Sequence, residues 1–128
     1  GMEGVIVVLG AMAGMVAKAC ENSSLQSYPS IWSCSQLPFI FADLPENLKK
    51  EMFNCKWIMV IEDHVAIGGL GDSLSRAILS GRIPIGEFIH LHVKGYMSGR
   101  YGSQEYYRTE NGLDAESILL QIKKRTDR

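Results

Sequence analysis

The sequence predicts a three-layer α/β/α domain: an open sheet of mostly parallel strands, with room for one antiparallel edge strand, covered by helices on both faces. Three observations predict it. Val5 to Leu9 and Trp57 to Ile61 are continuous apolar runs rich in β-branched residues, too short for helices and suited to strands covered on both sides. Segments with apolar residues three and four apart follow such runs, as amphipathic helices require. Strand and helix then alternate through the chain, the pattern that builds a sheet with helices on its faces.

Each element has its own signal. Gly4 to Gly10 is a glycine-bounded apolar run and forms the first strand. Met12, Met15, Val16 and Ala19 recur at helical spacing until the polar Glu21 to Ser24 ends the helix. Ser30 to Ser35, around Ile31 and Trp32 and bracketed by Pro29 and Pro38, reads as the second strand. Asp43-Leu44-Pro45-Glu46 reads as a helix start, with Asp43 accepting from first-turn amides and Pro45 tolerated in the first turn. Leu44, Leu48 and Met52 form its apolar stripe, leaving Glu46, Lys49, Lys50 and Glu51 to face water.

Trp57 to Ile61, ending in Glu62-Asp63-His64, is the central strand. The turn Gly68-Gly69-Leu70-Gly71 leads into a helix with Leu70, Leu74, Ala77 and Ile78 on one stripe, stopped by Gly81. Glu87 to Val93 alternates, with Ile89, Leu91 and Val93 on one face and Phe88, His90 and His92 on the other. Ser103 to Arg108, closed by Gly112, suggests a short capped helix. Asp114 caps a last helix with Ile118, Leu119 and Ile122 inward and Lys123, Lys124 and Arg125 at its C-terminal end, where the helix dipole favours cations.

A length of 128 residues fits one domain, 1–128, with Gly1 read as a tag remnant. Thirteen basic and fourteen acidic residues leave a net charge of -1, without the positive surplus that non-specific nucleic-acid binding uses. The longest apolar stretch, Val5 to Val16, is broken by Gly10 and Gly14 and falls short of the about 20 residues a membrane span needs. The segment ahead of it carries Glu3 and no Lys or Arg, unlike a signal peptide. Cys20, Cys34 and Cys55 are widely spaced, with no C-x-x-C pair, so buried thiols of a cytoplasmic protein are expected rather than a disulfide framework or a zinc site.

The stretch Val60-Ile61-Glu62-Asp63-His64-Val65-Ala66-Ile67-Gly68-Gly69-Leu70-Gly71 resembles a signature of the transketolase C-terminal domain: acidic-x-His, then Gly-Gly-x-Gly, after a buried strand. The glycine-flanked first strand and its helix, the Pro45 helix start and the closing Gly112 to Ile118 extend the resemblance over nearly the whole chain. That family includes transketolase, deoxyxylulose-5-phosphate synthase and the β subunits of 2-oxo acid dehydrogenases. The resemblance implies a domain that binds no cofactor itself and serves assembly in a homo-oligomer, a dimer by the family's pattern. Thiamine diphosphate and Mg would then sit between partner pyrophosphate-binding and pyrimidine-binding domains, and this chain alone would be inactive. The apolar Pro38 to Ala42 and the Tyr96 to Tyr101 segment depart from the family pattern. Two other readings stay open: a fragment of a 2-oxo acid dehydrogenase β subunit, and a free-standing regulatory or small-anion-binding module.

The candidate interface or anion site comprises Glu62, His64, Gly68, Gly69, Gly71 and Arg100. Amides at Gly68 to Gly71, opening a helix, could hold a phosphate. Glycine also permits close strand–helix approach and positive φ, and Asp72 already supplies negative charge there, so a structural role is expected. His64 lies at a strand's carboxyl end, where open α/β sheets hold ligands, and an interface histidine is expected. His90 and His92 share a strand face and could be two metal ligands. With no third ligand evident, packing is expected there and no metal. Lys94, Arg100 and Arg108 among tyrosines form a polar loop expected to be solvated or at a subunit contact. Gly10 to Gly14 lacks the middle glycine of a dinucleotide fingerprint, and the second strand ends without the acidic residue that would hold a ribose. No catalytic residue is expected in this chain.

Overall fold

An apolar strand with no polar alternation must be covered on both sides, and that requirement sets the order of the sheet. In the computed structural model, which describes residues 3–65, 68–93 and 112–126, the strands are β1 (Gly4–Leu9), β2 (Ser30–Cys34), β3 (Trp57–Val65) and β4 (Glu87–Val93). Their order is β2-β1-β3-β4, so the two most apolar strands lie in the middle. Pairing sets Val5 against Ile58 and Val7 against Val60 across the centre.

Among the described residues the α-helices are α1 (Ala13–Glu21), α2 (Glu46–Asn54), α3 (Leu70–Ser80) and α4 (Ala115–Thr126). They divide two and two over the sheet. Ile6, Val8, Met59 and Ile61 pack under α1 and α4, through Val16 and Cys20 of α1 and Ile118 and Ile122 of α4. Val5, Val7, Ile58 and Val60 face the other way, under Leu48 and Met52 of α2 and Leu70, Leu74, Ala77 and Ile78 of α3. The three predicted layers are therefore present. Among the described residues no helix is long and apolar enough to cross a membrane.

All strand pairings among the described residues are parallel, so the antiparallel edge allowed for above is not found. The connections explain it. A helix lies between each strand and the next, and such a crossover returns the chain to the end of the sheet where it started. From β1 the chain moves to β2 on one side, and from β3 to β4 on the other, so the strand order reverses between the carboxyl ends of β1 and β3.

Two local expectations change. The second helix begins at Glu46, with Pro45 at its N-cap position and no side-chain cap. Asp43 instead reaches backward: its Oδ2 accepts from the amide of Ile40 at 3.0 Å and closes a 3-10 turn over Phe41–Asp43. Glu51 is not a solvated charge. Its Oε2 accepts from the Trp32 indole Nε1 at 2.6 Å and from Ser30 Oγ at 2.7 Å, because a half-buried indole N–H on the edge strand needs an acceptor.

The last helix follows expectation, with Asp114 Oδ2 accepting from the Ser117 amide at 3.2 Å. Arg125 ties its other end to the sheet through Glu87 Oε2 at 3.0 Å. The helix expected at Ser103 to Arg108 lies outside the described residues.

Candidate functional site

β3 runs as pure core from Trp57 to Ile61 and then places a carboxylate in the interior, since Glu62 has no exposed surface. A buried charge must be paired or hydrogen-bonded, and the neighbouring elements supply the hydrogen bonds. Glu62 Oε1 accepts from the Leu70 amide at 2.8 Å, and Oε2 accepts from the Gly71 amide at 2.6 Å. His90 Nε2, from the adjacent strand β4, meets Oε2 at 2.5 Å. The carboxylate thus caps the amino end of α3 from a distant strand, where the dipole favours an anion. Asp72 adds a second contact, accepting from the Gly68 amide at 3.1 Å.

The glycines fit this joint. Gly68 adopts φ +79°, a conformation that favours glycine. Gly71 lies under the His90 ring, and a Cβ there would collide with ring atoms Cε1 and Nε2. The register of β3 against β4 slips between Ile61 and Val65, an irregularity that spans Glu62, Asp63 and His64. Gly69 is the N-cap residue of α3, in an extended conformation.

Of the six candidate residues, the structure brings Glu62, Gly68, Gly69 and Gly71 together at the start of α3. His64 falls in the end of β3, and Arg100 lies outside the described residues, as do Lys94 and Arg108. The Leu70 and Gly71 amides, which would serve an anion, already donate to Glu62. An incoming phosphate would have to compete with a buried carboxylate.

His90 is the residue that sequence reasoning did not attach to this cluster. It is 28 residues from Glu62, and only the β3–β4 pairing makes them neighbours. Its ring also lies beside that of His92, with centroids 4.5 Å apart and planes tilted by 47°.

A cavity of about 200 Å³ opens beside the carboxyl end of β2, walled by Val7, Trp32, Cys34, Phe39, Leu48 and Leu74. Cys34 is half-buried there, and its thiol donates to the Gln36 carbonyl. Cys20 is buried and Cys55 half-buried, and burial is the largest influence on both thiols, raising their pKa above the ordinary value. All three cysteines are free.

No family model matches this chain, and no curated protein does. Among solved structures it is similar to a protein described as a split-gene transketolase, an inactive beta4 tetramer, with a TM-score of 0.74 and 19% identity. The match covers 99% of this chain and 40% of that one, so this chain spans well under half the length of the protein it resembles. The parallel sheet and the helices on its two faces are a fold that this chain shares with part of a transketolase.

Proposed function

We propose that this chain is the C-terminal assembly domain of a transketolase-like, thiamine-diphosphate-dependent enzyme. One observation carries the reading: the fold match spans 99% of the chain yet only 40% of a transketolase chain, as one domain of a larger enzyme would. The resemblance of Glu62 to Gly71 to the C-terminal signature supports the same assignment. In the structure those residues make an internal joint: Glu62 holds the start of α3, and Gly68 and Gly71 serve the turn and the His90 ring.

One feature supports placing the diphosphate of the cofactor elsewhere in such an enzyme. The first α3 amides, the natural donors for such a group, are engaged by Glu62. Thiamine diphosphate and Mg2+ would therefore belong to partner pyrophosphate-binding and pyrimidine-binding domains, and this domain would present surface for their assembly and for a second copy.

Size-exclusion chromatography with a coupled ketol-transfer assay tests the proposal. The chain alone should transfer no ketol unit. Mixed with partner chains carrying the other two domains, thiamine diphosphate and Mg2+, it should elute in a larger complex that does. Ketol transfer by the chain alone, or no complex with such partners, rejects the reading.

A further inference from the structure

We propose that the cavity beside the carboxyl end of β2 is a binding site for a small aromatic amine or alcohol, its ring against the apolar floor and its hydrogen-bond donor toward Asp43. Such a site stands independently of the assembly role.

The lining is sorted by polarity. Val7 of β1, Leu48 of α2 and Leu74 of α3 are buried and form the floor. Trp32 and Phe39 are half-buried walls, and Asp43 is exposed at the mouth. An apolar interior with a few polar groups at its edge is what a small-molecule site requires, and open parallel sheets take ligands at the carboxyl ends of their strands. Size narrows the class. A cavity of about 150 Å³ with apolar walls takes up benzene, so about 200 Å³ has room for one ring and a short polar arm.

The aromatic walls are set in advance. The Trp32 indole is tied at its nitrogen to Glu51 Oε2 at 2.6 Å, and its backbone lies in register with Val7. Phe39 comes from Pro38 to Ala42, the apolar stretch that departs from the family pattern and that assembly leaves without a purpose. The turn that follows Phe39 is closed by the bond from the Ile40 amide to Asp43 Oδ2 at 3.0 Å. A planar guest gains offset or edge-to-face contact with such rings beyond the area it buries.

Charge decides the rest of the class. Asp43 is the one charged side chain among the described residues that line the cavity, with no Lys or Arg beside it there. An anionic guest would meet that carboxylate with no lining cation to offset it, which disfavours phosphates and carboxylates. The Ile40 amide occupies part of Asp43 Oδ2. A carboxylate accepts through both oxygens, so Asp43 retains capacity for an N–H or O–H at the mouth. A protonated amine adds charge to that hydrogen bond and strengthens it.

The test is an NMR titration of the isotope-labelled full chain with benzylamine, benzyl alcohol and benzoate, which share one ring. Trp32→Phe identifies the two indole N–H resonances. Benzylamine should shift the Trp32 resonance saturably, with a dissociation constant below about 1 mM, and leave that of Trp57, on the opposite face of the sheet, in place. Benzyl alcohol should bind more weakly, and benzoate at least about tenfold more weakly than benzylamine. Asp43→Asn, which keeps an oxygen for the Ile40 amide, should bring benzylamine down to the level of benzyl alcohol. Cys34→Phe, which adds a ring to the wall, should abolish binding while the thermal melt stays cooperative. If that variant fails to fold, Asp43→Asn decides. No saturable shift at Trp32, equal shifts at both indoles, benzoate bound as tightly as benzylamine, or benzylamine affinity unchanged in Asp43→Asn overturns the proposal.

Discussion

Gly71 and Gly14 both lie in helices, and substituting each by alanine should have opposite effects. At Gly71 a new Cβ would collide with the His90 ring, which Glu62 holds in place. Either the ring must leave its carboxylate or α3 must shift, and crowding of that kind costs about 1–3 kcal/mol. At Gly14 nothing lies within 4 Å of the added methyl, and alanine lowers the backbone entropy cost of the helix by about 0.5 kcal/mol. Urea denaturation should show Gly71→Ala with a lower midpoint than the parent and Gly14→Ala with a slightly higher one. An unchanged midpoint for Gly71→Ala would mean that His90 is not pinned. At this scale the sequence made the glycines of the turn legible, because they sit where a strand meets a helix. It could not show which partner each glycine accommodates. The Glu62–His90 and Glu51–Trp32 bonds join residues brought together only by packing, so Glu51, directly after Lys49 and Lys50, looked like a solvated charge.

Among the elements, the start of α4 titrates. Hydrogen bonds from Ser117 hold the Asp114 carboxyl below the ordinary carboxylate range, against a smaller opposing effect of burial. A carboxyl whose folded pKa is depressed stabilises the fold fully above its unfolded value, about 3.9, and loses that contribution as pH falls through the lower folded value. Asp114→Ala should therefore cost about 1 kcal/mol at neutral pH, the usual loss of an N-cap. The gap between parent and variant should close once the pH falls below the lowered folded pKa, where the parent's carboxyl is protonated too. Paired chemical-denaturation curves at the two pH values check it, and a gap that persists in acid would assign the cap to something other than the ionised carboxylate. This cap was readable because Asp114, the apolar stripe and the terminal cations all agree. The start of α2 was not, because the same acidic-then-proline pattern suits a 3-10 turn closed backward onto Ile40 as well as a helix cap.

The whole molecule is held by two apolar layers that share one sheet. Strand existence could be read from apolar runs, but the order β2-β1-β3-β4 could not, since nothing local in β1 says which strands will flank it. That order makes the layers interdependent: β1 and β3 contribute Ile6, Val8, Met59 and Ile61 to one face and Val5, Val7, Ile58 and Val60 to the other. Losing one helix layer would leave a central strand bare on one side, so the two layers should unfold together. The tryptophans can report this, because Trp57 belongs to the α1/α4 face and Trp32 packs against the other. In a Trp32→Phe background, emission comes from the α1/α4 side alone. Ile78→Val lies on the α2/α3 side and removes one buried methylene at a cost of about 1 kcal/mol. It should lower the stability read by Trp57 by that full amount, as Ile118→Val does from Trp57's own side, and the two changes together should add to within about 0.5 kcal/mol. Far-UV circular dichroism should give the same midpoints. A Trp57 transition that ignores Ile78→Val would show that the two faces come apart separately, and the sheet would then not be the element that couples them.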